Sequence, residues 1–213
     1  MTRLTAYSAV LLVALLLGGM AFLIYRPAAL GWLGYGSDDP FAPCRASQVA
    51  AGKATIGGPF ELMRMDGVTV TEADVFTKPS LVYFGYTFCP DVCPLDNARN
   101  AEAVDLLTAK GYDVQPVFIS IDPERDTPEV VASFAEYMHP KMVGLTGTPE
   151  QVKAASTAYK TYYRKNGEGD GYLMDHSTFT YFMLPGEGFV EFYKRGDSAA
   201  DMAEGVACFI DNM

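Results

Sequence analysis

Histidine and basic charge are both scarce in this sequence. Its 213 residues include two histidines, and 16 Lys and Arg stand against 26 Asp and Glu, a formal net charge of −10. A nucleic-acid binder needs a basic footprint, so nucleic acid is not an expected partner. A second closely spaced cysteine pair is also missing, which removes the four protein ligands of a structural zinc site. The ten methionines are scattered without a clustered thioether motif and read as core or ordinary surface. No internal repeat is present. Disorder is excluded as well, because 49% hydrophobic and 20% charged residues are enough to build a core.

What is present begins with an apolar run from Leu4 to Tyr25, free of charge and flanked by Arg3 and Arg26. A membrane-spanning helix needs ~20 such residues, whereas a signal-peptide apolar region has ~7–15. The run therefore predicts an uncleaved anchor over residues 1–26. The alternative is a cleaved signal peptide, with Ala28 and Ala29 near the cleavage point. All 26 acidic residues lie beyond the run. Large domains cross a membrane largely regardless of charge, so the flanking arginines give only a lean toward the body lying outside. In a bacterium that is the periplasm, with a single-pass anchor in the inner membrane. Residues 27–55, rich in Ala, Gly and Pro, read as a juxtamembrane linker, and residues 56–213 as one domain.

Within that domain, Phe60–Met65, the turn Asp66-Gly67 and Val68–Thr71 predict a hairpin. Ser80–Tyr86 reads as a strand buried on both faces. A helix over 95–110, a strand over 114–121 and two helices opened by Thr127-Pro128-Glu129 and Thr148-Pro149-Glu150 follow. Strands over 178–184 and 189–193 and a last helix from Ser198 complete the chain. Strands alternating with helices predict an α/β fold, a sheet layered with helices.

Four cysteines remain to be placed: Cys44, Cys89, Cys93 and Cys208. The even count suits an oxidising compartment, yet it allows three pairings. Cys44 and Cys208 lie at opposite ends of the body, and a structural disulfide between them is one reading, two unrelated thiols the other. Cys89 and Cys93 fall just past a buried strand at the start of a helix, where free N–H groups and the helix's positive end lower a thiol's pKa. Their spacing puts both sulfurs on one side of a helical turn, able to share a metal or form a disulfide. Soft thiolates suit Cu(I) or zinc.

A third ligand must come from elsewhere. His139 sits where a helix should end and reads as a helix-terminal surface residue. His176 follows a loop punctuated by Gly167, Gly169 and Gly171, which could carry it to the sulfurs and away again. Asp175 and Ser177 beside it read as polar loop residues rather than groups that orient the ring. The segment 122–126 could line the same mouth, although helix capping is the plainer account of Asp126 and Thr127.

Three segments, YFGYTFCPDVCP over 83–94, FISIDPERDTP over 118–128 and DHSTFTYFML over 175–184, resemble the Sco/SenC family. These are membrane-anchored, thioredoxin-like copper proteins that assist cytochrome c oxidase assembly. The resemblance runs from about residue 56 to 192. It implies a thioredoxin-like α/β fold with an N-terminal hairpin, and one copper ion, Cu(I) or Cu(II), bound by Cys89, Cys93 and His176. Asp126 matches a family aspartate linked to metal or redox behaviour. The implied partner is subunit II of cytochrome c oxidase, by delivery to its binuclear copper centre or by reduction of its cysteines. Another periplasmic copper chaperone or a thioredoxin-like reductant is a further candidate partner. A eukaryotic source would place the anchor in the mitochondrial inner membrane. The pair Cys44 and Cys208 is outside the family motif.

Three other functions compete. A thiol–disulfide oxidoreductase would use Cys89 and Cys93 as its redox pair, but such enzymes usually have two intervening residues where this chain has three. A thiol peroxidase would want its threonine three before the cysteine, and Thr87 is two before Cys89. A copper or redox sensor would bind metal without delivering it.

Overall fold

The structure, a computed structural model, describes residues 2–25, 39–45 and 56–213. The chain divides into two units, Met1–Ala42 and Pro43–Met213. In the first, the charge-free run forms helix α1, Thr2–Tyr25. Its side chains are described at Tyr7 and over 11–22, where large apolar groups on every side are exposed. The stretch of α1 whose side chains are described, 11–22, is shorter than a membrane span, and among the described residues no helix is long and apolar enough to cross a membrane. Most of the expected 27–55 linker lies outside the described residues.

The second unit is built on a mixed sheet. At its centre are β3 (Ser80–Gly85) and β4 (Gln115–Ser120), parallel in register from Ser80↔Gln115 to Gly85↔Ser120. Every residue of both strands is buried, as a sheet covered on two faces requires. Around them come β1 (Glu61–Arg64), β2 (Thr69–Thr71), β5 (Val143–Thr146), β8 (Thr180–Leu184) and β9 (Gly188–Tyr193), in the spatial order β2-β1-β5-β4-β3-β8-β9. β5 runs parallel to β4; β1 is antiparallel to β5, and β8 is antiparallel to β3. The hairpin read from Asp66-Gly67 is the antiparallel β1–β2 pair.

Neighbouring residues of one strand show how the two faces are filled, because they point opposite ways. Tyr181 of β8 joins Phe84 and Tyr159, with ring centroids 5.9 and 6.1 Å away. Phe182 instead meets Phe209 of α6 (Ala199–Asp211) at 5.8 Å, under the long helix α3 (Val92–Ala109) that packs on α6. Helices α4 (Pro128–Met138) and α5 (Pro149–Ala158) begin where expected. Thr127 Oγ1 accepts from the Val130 amide, and Thr148 and Gln151 cap each other's backbone N–H. A single short turn, α2 (Glu72–Val75), follows β2.

One expectation is corrected. The glycine-punctuated segment before His176 is a second sheet, the antiparallel hairpin of β6 (Tyr163–Asn166) and β7 (Leu173–His176). It pairs His176 with Tyr163, and Gly167 and Gly169 take up positive φ in its turn. His176 therefore ends a strand instead of riding on an irregular loop. The central parallel strands open at their carboxyl ends, Gly85 and Ser120, onto one edge of the sheet. In α/β sheets that edge is where ligand sites form.

Candidate metal centre

Residues 86–91 turn from β3 into α3, with the Cys89 amide donating to the Tyr86 carbonyl at 3.3 Å. Helix α3 begins earlier than the spacing predicts, so Cys93 lies inside its first turn. The N-cap residue, Asp91, makes no side-chain bond to the helix. The Cys89 sulfur takes that place, accepting from the Cys93 amide at 3.4 Å. A sulfur at a helix N-terminus is held as a thiolate by the free N–H groups and the dipole. Cys89 is accordingly pushed well below the ordinary thiol range, first by the hydrogen bond from the Cys93 side chain, then against burial by His176 and by the Cys93 and Asp91 amides. Cys93 moves the other way, because it donates to Cys89 and is fully buried. The pair thus holds one proton, on Cys93.

The end of β3 makes room for the deeper sulfur. A Cβ added at Gly85 would lie 2.8 Å from Tyr83 Cε1 and 3.0 Å from Cys93 Sγ. Gly85→Ala is therefore expected to displace the Cys93 sulfur and lower stability by ~1–3 kcal/mol, the usual range for overpacking. Thermal unfolding and the alkylation rate of Cys93 in the variant check this. Wild-type values for both would mean that Tyr83 moves instead.

His176 completes the group. The ligand atoms of Cys89, Cys93 and His176 all lie within 4.8 Å of one another, and Cys93 Sγ is 3.4 Å from His176 Nε2. Nδ1 is 2.8 Å from the Ser177 carbonyl, which can only accept, so Nδ1 carries the proton. Nε2 is thereby left facing the sulfurs, where its lone pair would be the ligand atom once it carries no proton. Ser177 is itself fixed, its amide donating to the Tyr162 carbonyl and its hydroxyl accepting from the Tyr162 amide. Two tyrosines stand edge-on to the imidazole, Tyr86 at 5.8 Å and Tyr83 at 6.2 Å. Burial, the largest cause, pushes Tyr86 up to about 12, and Tyr83 is raised by burial too, so both hydroxyls stay neutral. The Tyr83 hydroxyl donates to buried Asp96 at 3.0 Å, and Arg195 lies 3.4 Å from the same carboxylate.

The other candidates are placed as follows. Asp126 is fully buried and caps no helix. Its carboxylate accepts from the Thr87 amide (3.0 Å), the Thr87 hydroxyl (2.6 Å) and Ser120 (2.6 Å), which ties the start of the cysteine turn to the end of β4. It is raised by burial, against those three donors. It is not one of the three clustered ligands. His139 does end α4, but it is buried instead of exposed, bonded to the Lys141 amide and 3.2 Å from Asp105. Asp175 turns away to Arg164 and Asn166. Cys44 and Cys208 are joined in a disulfide with Cα atoms 5.6 Å apart. Against the expectation of a mere polar loop residue, Ser177 orients the ring through its carbonyl, while Tyr83 and Tyr86 are the site residues that the sequence did not signal. Only the placing of Ser177 next to His176 could have suggested its part.

Known proteins resemble this chain over most of its length. A family model described as SCO1/SenC matches residues 48–211. The SenC protein of Rhodobacter capsulatus is 56% identical over 174 residues, 81% of this chain and 78% of the relative. A mitochondrial SCO1 homolog of Arabidopsis thaliana is 46% identical over 159 residues, 74% of this chain and about half (48%) of the relative. Among solved structures, the copper-bound crystal structure of Arabidopsis thaliana ScoI aligns with a TM-score of 0.70 at 43% identity, covering 73% of this chain and 99% of that one.

Proposed function

The chain belongs to the SCO1/SenC family, and from that premise we propose that it is a membrane-anchored copper chaperone. It holds one copper ion between Cys89, Cys93 and His176 and delivers it to the binuclear copper centre of cytochrome c oxidase subunit II. The observation that carries this reading is the convergence of two sulfurs and one imidazole nitrogen within 4.8 Å at the open edge of the sheet. Two soft thiolates favour Cu(I), and a nitrogen ligand makes Cu(II) accessible. Arabidopsis thaliana ScoI, which this chain resembles, has been solved with copper bound.

Loading requires Cys93 to give up its proton, since the thiolate is the ligand. Cys89 is 9% exposed and Cys93 has no exposed surface. A partner thiolate therefore reaches the ion from the side of Cys89 and half-buried His176, and the bond to Cys93 is the last to break. Ligands are exchanged one at a time, so the ion is never free. The apolar run from Leu4 to Tyr25, helical over Thr2–Tyr25, would tether the body to the membrane that houses the oxidase.

A second reading, reduction of the same subunit's cysteines, is favoured by the unequal pair of thiols. Cys89 thiolate attacks a partner disulfide and releases one partner sulfur, which takes the Cys93 proton. Cys93 then attacks the mixed disulfide and frees the second partner sulfur as a thiolate that solvent protonates. Two electrons pass to the partner, and a Cys89–Cys93 disulfide remains.

Anaerobic titration of the full chain in detergent tests both readings. The reduced chain is expected to take up one copper ion, and the chain with Cys89 and Cys93 oxidised to each other none. Undiminished uptake after that oxidation would place copper elsewhere and sink the chaperone reading. If wild type and His176→Ala bind copper alike while both reduce subunit II disulfides, the reductase reading replaces it.

A further inference from the structure

The β6–β7 hairpin stands apart from the main sheet, and most of its strand residues are exposed or half-buried. Tyr172 and Met174 are its buried apolar anchors, with Tyr163 packed against the same core, and it carries His176 at its end. An ion pair from Lys165 to Glu124 (2.7 Å) ties its first strand to the 122–126 loop, and a second side chain of that loop holds its turn. The Arg125 guanidinium lies 3.5 Å from the centre of the Tyr172 ring, in the turn of the hairpin, and donates to the carbonyls of Asp170 (3.2 Å) and Tyr172 (3.0 Å). It is anchored in turn by Asp122 at 2.6 Å, and the Tyr172 hydroxyl donates to that same carboxylate at 2.5 Å. On its other side it lies 4.8 Å from the ring of Phe88, the residue before Cys89.

We propose that Arg125 is a positioning residue: by latching the turn of the β6–β7 hairpin to the 122–126 loop, it sets where His176 stands relative to Cys89 and Cys93. This rests on the copper reading above. The physical basis is the planar fork of arginine, which stacks on an aromatic ring and bonds two carbonyls at once. Lysine keeps the charge but offers a point donor without a plane. Arg125→Lys therefore retains a cation for buried Asp122 and so leaves the core intact, while it gives up the stack and the double carbonyl bond.

The test is a double-mutant cycle on the full chain in detergent, comparing wild type, Arg125→Lys, His176→Ala and the pair. Arg125→Lys is expected to weaken Cu(II) binding ~10–100-fold, the usual loss when a group that orients a metal ligand is removed. It should also weaken the nitrogen superhyperfine signal in the Cu(II) spectrum. In the His176→Ala background the same change should cost almost nothing, because the ligand it places is gone. An equal loss in both backgrounds, or none in either, overturns the proposal. Hydrogen exchange on the reduced, copper-free chain gives a readout independent of the metal. Faster exchange confined to residues 163–176 supports the latch; unchanged exchange there, or a rise that extends into β3 and β4, removes it. If the wild-type chain takes up no copper, the copper reading falls and this exchange result alone decides whether Arg125 is a latch.

Discussion

Cys93→Ser is expected to abolish stoichiometric Cu(I) uptake, and Cys89→Ser to do the same, whereas His176→Ala should spare Cu(I) in part and lose Cu(II). The asymmetry follows from the donor set. Cu(I) is soft and is satisfied chiefly by two thiolates, while the imidazole nitrogen is what brings Cu(II) within reach. Serine keeps its proton at neutral pH and offers a hard oxygen, so either sulfur variant removes half of the soft ligation. The loss should exceed the ~10–100-fold typical of groups that merely orient a ligand. A competing Cu(I) chelator, titrated anaerobically, reads the first pair; sulfur-to-copper charge-transfer absorbance reads Cu(II). Wild-type affinity in Cys93→Ser would put the ion elsewhere. Equal losses of Cu(I) and Cu(II) in His176→Ala would mean that the nitrogen contributes no preference between them.

How much of this was legible beforehand depended on whether the signal was local. The two Thr-Pro-Glu starts of α4 and α5 and the turn Asp66-Gly67 specify their structure within a few residues, and each is found where the spacing put it. β3 is legible for a different reason, since six consecutive buried residues need an apolar run. β5 was missed because it has only four residues, one of them Gly144. That glycine is set by a neighbour: a Cβ there would lie 2.5 Å from Val131 Cγ1 on α4. The β6–β7 hairpin gave no alternation of apolar and polar residues, because its strands have little core to face, and its glycines suggested an irregular loop. The two cysteines and the histidine could be picked out by chemistry alone. What fixes them could not, since Arg125 meets Tyr172 across 47 residues of sequence and Asp126 meets Thr87 across 39. Such pairs are products of the strand order, which no local pattern carries.

Removing the Cys44–Cys208 disulfide should produce the largest loss of stability of any change outside the core. The bond joins residues separated by 164 positions, so it restricts the unfolded chain almost from end to end of the second unit. The loop-entropy relation gives ~5 kcal/mol for a loop of that length, and loss of native disulfides typically costs ~2–5 kcal/mol. At ~2–4 °C per kcal/mol for a chain of this size, Cys44→Ser/Cys208→Ser should melt ~4–20 °C below wild type. Local contacts set the lower end of that range. Arg45 donates to the Val190 carbonyl and lies 5.9 Å from the Phe209 ring, so the segment beside Cys44 keeps a hold on the domain without the bond. Copper stoichiometry at low temperature should not change. Cys208 lies within a turn of Asp211, which bonds the Tyr112 hydroxyl just past the end of α3, whereas Cys93 lies at the beginning of that helix. Eighteen helical residues separate the two ends, or ~27 Å at 1.5 Å per residue. The melting temperature should therefore follow the state of Cys44 and Cys208, and copper uptake the state of Cys89 and Cys93. Graded reduction followed by thiol blocking and mass analysis can separate the two. A melting temperature that tracks the Cys89–Cys93 pair instead would show that the stabilising cross-link is not the one joining the ends of the domain.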